Sequence, residues 1–168
     1  MISMEKIILI LISIVLLILD NSFAPFFAIH GAYPSLLLTF SIAYSILKKK
    51  EDAVFIGVVS GLLQDIYFYN GFGVNSLLNL FLCIMASVIG ESIVRNKRLI
   101  PTVSIFVITI VKFFGIFMIF SFMDIIVEVD FIKIIIMGLY NSIIMFFMYK
   151  IVSRQLDKNN NNQQWRFK

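Results

Sequence analysis

Two charged side chains sit deep in apolar stretches of this chain, and their surroundings are the first place to look for chemistry. Asp65 falls in GVVSGLLQDIYFYNGFGVN, residues 57–75, and Lys112 in the run from Pro101 to Met123. A carboxylate or ammonium in lipid is costly, so such groups face protein or water and mark a working site. Around Asp65 the residue types are specific: Gly57 and Gly61 four apart, then Gln64, then a turn with Gly71 and Gly73, then Asn75. Small residues at that spacing make a helix face that another helix can approach closely. The plainer reading is a packing face followed by a tight turn, with Asp65 at the outer interface.

The rest of the chemical inventory is thin. His30 is the one histidine, so no histidine pair for a metal exists, and no serine–histidine–acid set is visible. The glycines at 57, 61, 71 and 73 are not followed by the Lys-Ser/Thr of a phosphate loop. Cys83 is the sole cysteine, which excludes an internal disulfide and any paired-cysteine metal or redox site. No enzyme, metal or cofactor is expected. Asp65 lies roughly 18 Å of helical rise beyond Ala53, and Lys112 roughly 16 Å beyond Pro101, so the two share a depth and are expected to pair across spans three and five. Asn75, Asn79 and Asn141 read as hydrogen-bonding groups between helices.

The elements that must position these residues are membrane spans. Of the 168 residues 60% are hydrophobic and 14% charged, with mean hydropathy +0.97, far from a soluble domain. The apolar runs place about six spans. The first, Ile7 to Leu19 and on toward Phe27, lacks a small-residue cleavage site after Asp20 and is read as uncleaved. Pro34 is expected to open a second, Pro34 to Leu47, that is short for a core of about 30 Å. The others are Ala53 to about Tyr69, Asn75 to Val94, Pro101 to Met123, and Phe131 to about Val152. Residues 1–152 thus form one membrane domain. Residues 153–168, basic and with an asparagine run, read as a disordered cytoplasmic tail in which Trp165 either anchors at the headgroups or is free.

Positive charge orients the chain. Lys6, Lys48 to Lys50, Arg95, Lys97, Arg98, Lys150, Arg154, Lys158, Arg166 and Lys168 all fall on one side of a six-span path. The connections on the other side hold no lysine or arginine, which puts both termini in the cytoplasm. The net charge of +4 therefore signals orientation in a bilayer and not nucleic acid.

Taken together, the early span, Pro34 before a leucine-rich short helix, the basic turn, and Gly57, Gly61, Leu62, Asp65, Gly73 and Asn75 resemble the rod shape-determining MreD family. The chain departs from that pattern at Ser35, where the family usually has an acidic residue, so no carboxylate role carries over to that position. The resemblance implies a non-enzymatic component of the bacterial cytoplasmic (inner) membrane. It would bind an MreC-like scaffold and act with a RodA-type glycosyltransferase, a penicillin-binding protein and, indirectly, MreB in side-wall peptidoglycan synthesis. It also implies an all-α fold like that of the substrate-binding subunits of energy-coupling-factor transporters. An alternative function follows from that likeness: a vitamin-binding membrane subunit, with Asp65, Lys112 and His30 as ligand contacts. A third, a channel or holin-like protein, would need a polar pore stripe that is not found.

Overall fold

Eleven successive residues, Leu37 to Leu47, are all buried, and the rest of the molecule is arranged around them. In the computed structural model, which describes residues 4–67, 73–92, 99–125 and 130–165 (side chains through Asp157), they form helix α2, Leu36–Leu47. Around it stand α1 (Met4–Ser22), α3 (Lys50–Tyr67), α4 (Val74–Glu91), α5 (Leu99–Phe122) and α6 (Phe131–Trp165). A short 3-10 turn, Ala24–Phe27, follows α1. The described residues form no strand, only an isolated bridge between Ile29 and Ala32. All five other helices touch α2. That explains its length: at roughly 18 Å it is too short to span a bilayer, but a helix enclosed by protein has no need to reach both interfaces.

Polarity is arranged as lipid requires. Thr39, Ser41, Ser45, Ser60, Asn79 and Thr109 are fully buried, while Leu11, Phe114, Phe147 and Ile151 are more than half exposed. The buried hydroxyls of Ser41 and Ser45 return their protons to the carbonyls of Leu37 and Ser41, 2.8 and 2.7 Å away, so they enter the core without an orphaned donor. Among the described residues, three helices are long and apolar enough to cross a membrane: α4, α5 and the Phe131–Asp157 part of α6. The 19-residue α1 and the 18-residue α3 match span lengths but carry more charge, at Glu5, Lys6 and Asp20 and at Lys50, Glu51, Asp52 and Asp65.

Backbone approach, not side-chain bulk, governs the closest helix contacts. A Cβ on Gly57 would lie 2.9 Å from the Leu80 Cα, and one on Gly61 would collide with the Ser76 Cα. Both glycines of the small-residue face are therefore taken up by α4 of the same chain. Gly90 does the same for α4 against α2, where a Cβ would strike the Ile46 carbonyl oxygen.

One expectation about an element's end is corrected. Pro34 does not open α2. Ser35 is the N-cap, its hydroxyl accepting from the Leu38 N–H at 3.4 Å, and a carboxylate from α1 takes the next two amides, so the helix starts at Leu36. Helix α6 is continuous from Phe131 to Trp165. The side chains of Lys158 and Trp165, the basic residues at 95, 97, 98, 166 and 168, and Gly71 lie outside what the structure describes.

Candidate functional site: a polar cluster at one end of the bundle

Helix ends gather in two groups. Glu5, Lys48, Lys50 and Glu91 mark one end, joined by a partly exposed ion pair of 3.9 Å (Lys48–Glu5) and an exposed one of 3.6 Å (Lys50–Glu91), both of which contribute little energy. At the other end, helices begin where preceding ones finish, and the polar residues collect there.

Each new helix at this end is started by a carboxylate. Asp20, on the last turn of α1, accepts from the Leu36 N–H at 2.6 Å and the Leu37 N–H at 3.0 Å, and from the Ser35 hydroxyl at 3.3 Å. Asp65, near the end of α3, accepts from the Asn75 and Ser76 N–H groups at 2.9 Å each and from the Ser76 hydroxyl at 2.5 Å. The first amides of a helix have no partner within it and carry the positive end of its dipole, so a carboxylate is the natural acceptor. Gly73 makes the second arrangement possible. It is the N-cap of α4 with φ of +99°, a left-handed conformation that favours glycine.

Between these caps runs a line of buried amides. Gln64 Oε1 accepts from Asn79 Nδ2 at 3.0 Å and from Lys112 Nζ at 2.6 Å. Asn79 Nδ2 also reaches the Ser60 hydroxyl at 3.3 Å. Asn141 on α6 accepts from the Ser35 N–H at 2.9 Å and donates to Thr109 Oγ1 at 3.1 Å, tying α6, α2 and α5 together. The expected ion pair between Asp65 and Lys112 is absent among the described residues. The Asp65 oxygens are occupied by α4, and the ammonium bonds the neutral Gln64.

Gln64, Asn75 and Lys112, expected at the site, do come together, and they line a cavity of about 110 Å³ with Asp20, Ser35 and Asn141. Gly57 and Gly61 are packing positions against α4, and Gly73 is the N-cap of that helix; none of the three lines the cavity. His30 is elsewhere. It sits exposed in a tight turn with Gly31, both left-handed (φ +49° and +71°), closed by reciprocal 2.9 Å bonds between Ile29 and Ala32. No group of three metal-binding side chains occurs among the described residues. The member that sequence reasoning missed is Asp20. Its signal was present, a carboxylate ending an apolar run, but its partner lies sixteen residues away across a turn. Asp20 also puts a carboxylate against the Ser35 hydroxyl.

These features describe a membrane bundle with a structured polar end and no catalytic set among the described residues. No curated protein and no solved structure gives a significant match to the chain. The model of the rod shape-determining protein MreD family matches residues 3–155, which is nearly all of the chain, and with it the protein belongs to the MreD family.

Proposed function

We propose that this protein is a non-enzymatic, multi-pass component of the bacterial cytoplasmic membrane that binds an MreC-like scaffold and so helps to control cell shape and side-wall peptidoglycan synthesis. The observation that carries this reading is the family match over residues 3–155. In this reading the chain crosses the membrane about six times with both termini cytoplasmic. A RodA-type glycosyltransferase, a penicillin-binding protein and indirectly MreB are its further partners. The clustering of Lys6, Lys48 and Lys50 with Lys150 and Arg154 toward one end of the bundle supports that orientation.

The scaffold's docking face needs a place other than Gly57 and Gly61, since α4 already covers them. The surface that suits a single transmembrane helix best is the groove between α1 and α6, which touch α2 but not each other. Leu9, Leu16, Phe40, Tyr44, Met148 and Val152 line it, with Glu5, Lys48 and Gln155 at its charged end. An apolar trough with polar groups at one end fits a lone span whose flanking residues are polar.

The test is purification of the tagged chain from native membranes in mild detergent, followed by mass spectrometry of what accompanies it. A bitopic scaffold together with wall-synthesis enzymes is the expected result. Paired ATPases with a membrane coupling subunit would overturn the reading in favour of a transporter subunit. Cysteines at Ile12 and Ile151, on the two rims of the groove, should cross-link to the scaffold's span. Cross-linking only from positions on the far side, such as Phe81, would move the docking face.

A further inference from the structure

Helices α1 and α2 meet well short of the end of α6. The Ser35 N–H, just before α2, donates to Asn141 Oδ1 at 2.9 Å, and the Tyr140 hydroxyl donates to the Phe27 carbonyl at 2.8 Å. Tyr140 and Asn141 lie nine and ten residues beyond Phe131, the first residue of α6, or roughly 14 Å along its axis. The Phe131–Asp157 part of α6 is long and apolar enough to cross a membrane. These contacts therefore fall near the middle of a hydrocarbon core about 30 Å thick. Helix α2 gives a second measure. From Ser35 to Lys48 at the basic end the rise is roughly 20 Å, which leaves its start about 10 Å inside the far boundary. The connection between α1 and α2 thus leaves one helix and enters the next within the leaflet away from the basic end.

Its residues suit that depth. Phe23, Phe26 and Phe27 are 56%, 83% and 55% exposed, and the Phe23 and Phe27 rings pack with centroids 5.2 Å apart. In water such a face is unfavourable, and among acyl chains it is not. Non-helical backbone is tolerated at membrane depth only where the protein satisfies its polar groups. The N–H groups of Phe23, Phe26 and Ala28 donate to the carbonyls of Leu19, Phe23 and Pro25 at 2.9, 3.2 and 3.2 Å, and Ile29 and Ala32 bond each other. Pro25 and Pro34 have no N–H to place, and the Phe27 carbonyl is taken by α6. Only the tip is polar. His30 is exposed there, and a Cβ on Gly31 would lie 3.9 Å from Nζ of Lys133, two residues from the start of α6.

We propose that the α1–α2 connection is a membrane-inserted turn whose surface partner is lipid. Phe23, Phe26 and Phe27 lie among the acyl chains of that leaflet, and His30 and Gly31 surface at its headgroups. The proposal rests on α6 crossing the bilayer and not on scaffold binding, and the groove between α1 and α6 shares no residue with the turn.

The test uses the full chain in vesicles of phosphatidylcholine and phosphatidylglycerol. Trp165, the sole tryptophan, is replaced by Phe, and Phe26→Trp supplies a new one. Phe23→Trp gives a second position on the turn, Phe147→Trp an exposed reference within α6, and His30→Trp the tip. Each turn variant exchanges one exposed aromatic for another, and should one fail to fold, the other decides. Lipids carrying bromine on their acyl chains should quench both turn positions as they quench Phe147→Trp, with emission blue-shifted from that of tryptophan in water. Iodide on both faces of the vesicle should quench His30→Trp several-fold more than either. Iodide quenching of a turn position equal to that of His30→Trp would overturn the proposal in favour of a water-exposed loop. Quenching by neither agent would overturn it too, and would mean that protein, a second copy of this chain, covers the face. Co-purification of the scaffold is unaffected by any of these outcomes.

Discussion

Asp65 shows how one residue can carry an element. Its carboxylate accepts two backbone amides and a hydroxyl at the start of α4. Asp65→Ala leaves those donors unpaired and should cost about 2–3 kcal/mol, read as a lower unfolding midpoint by Cys83 labelling; Asp65→Asn, which keeps one acceptor, should cost less. Lys112 behaves differently because its partner is Gln64. In double-mutant cycles, Gln64→Leu with Lys112→Met should show the larger coupling, of the order of 1 kcal/mol, and Asp65→Asn with Lys112→Met a value close to additive. A dominant Asp65–Lys112 coupling would contradict the hydrogen bonding described above. Identical glycine changes should also diverge. At Gly61 an added Cβ meets the Ser76 backbone, whereas at Gly115 it meets the end of the Leu78 side chain. Gly61→Ala should therefore lower stability by several kcal/mol or block folding, and Gly115→Ala by about 1 kcal/mol, since a rotamer can shift and a backbone cannot.

At the scale of elements, α2 is a helix with no lipid face, and its position depends on its two ends. The starting end is held by Asp20, Ser35 and Asn141, one residue each from α1, its own N-cap and α6. At the other end the Ser87 hydroxyl of α4 donates to the Lys48 carbonyl at 3.1 Å. Asp20→Ala should therefore destabilise the bundle by about 2 kcal/mol, because the Leu36 and Leu37 amides lose their acceptor inside protein. Ser41→Ala, by contrast, removes a hydroxyl that bonds only its own helix and should change the unfolding midpoint by less than about 1 kcal/mol equivalent. Equal losses from the two would show that the α2 start is not a fixed point of the fold.

For the molecule as a whole, the arrangement separates a charged end from a polar, cavity-bearing end. Orientation in the bilayer can be checked with the same cysteine background, since buried Cys83 is unreactive in the folded state. A cysteine replacing Lys49 should react with a membrane-impermeant maleimide only in opened cells, and one replacing His30 should react in intact cells. The reverse pattern would invert the topology. The outcome also decides which side supplies the cavity, since Tyr33, Pro34 and Asn21 of the α1–α2 connection form part of its wall.

Much of this was legible in the chain. Apolar runs marked six helices, because the energetic demand of lipid is local and each span must satisfy it by itself. Asp65, Gln64, Asn75 and Lys112 stood out because charge and amide groups are rare in such runs. Only the tertiary structure decided their partners. The choice between Gln64 and Asp65 for Lys112 depends on which face of α5 turns inward and on how closely Gly57 and Gly61 let α4 approach α3. Residue spacing gives depth along a helix but not rotation about it. The tertiary structure likewise placed Asp20 on the first amides of α2, and made that helix a buried centre where hydropathy alone marked a short span. An all-apolar helix reads the same whether lipid or protein surrounds it, and only its neighbours distinguish the two.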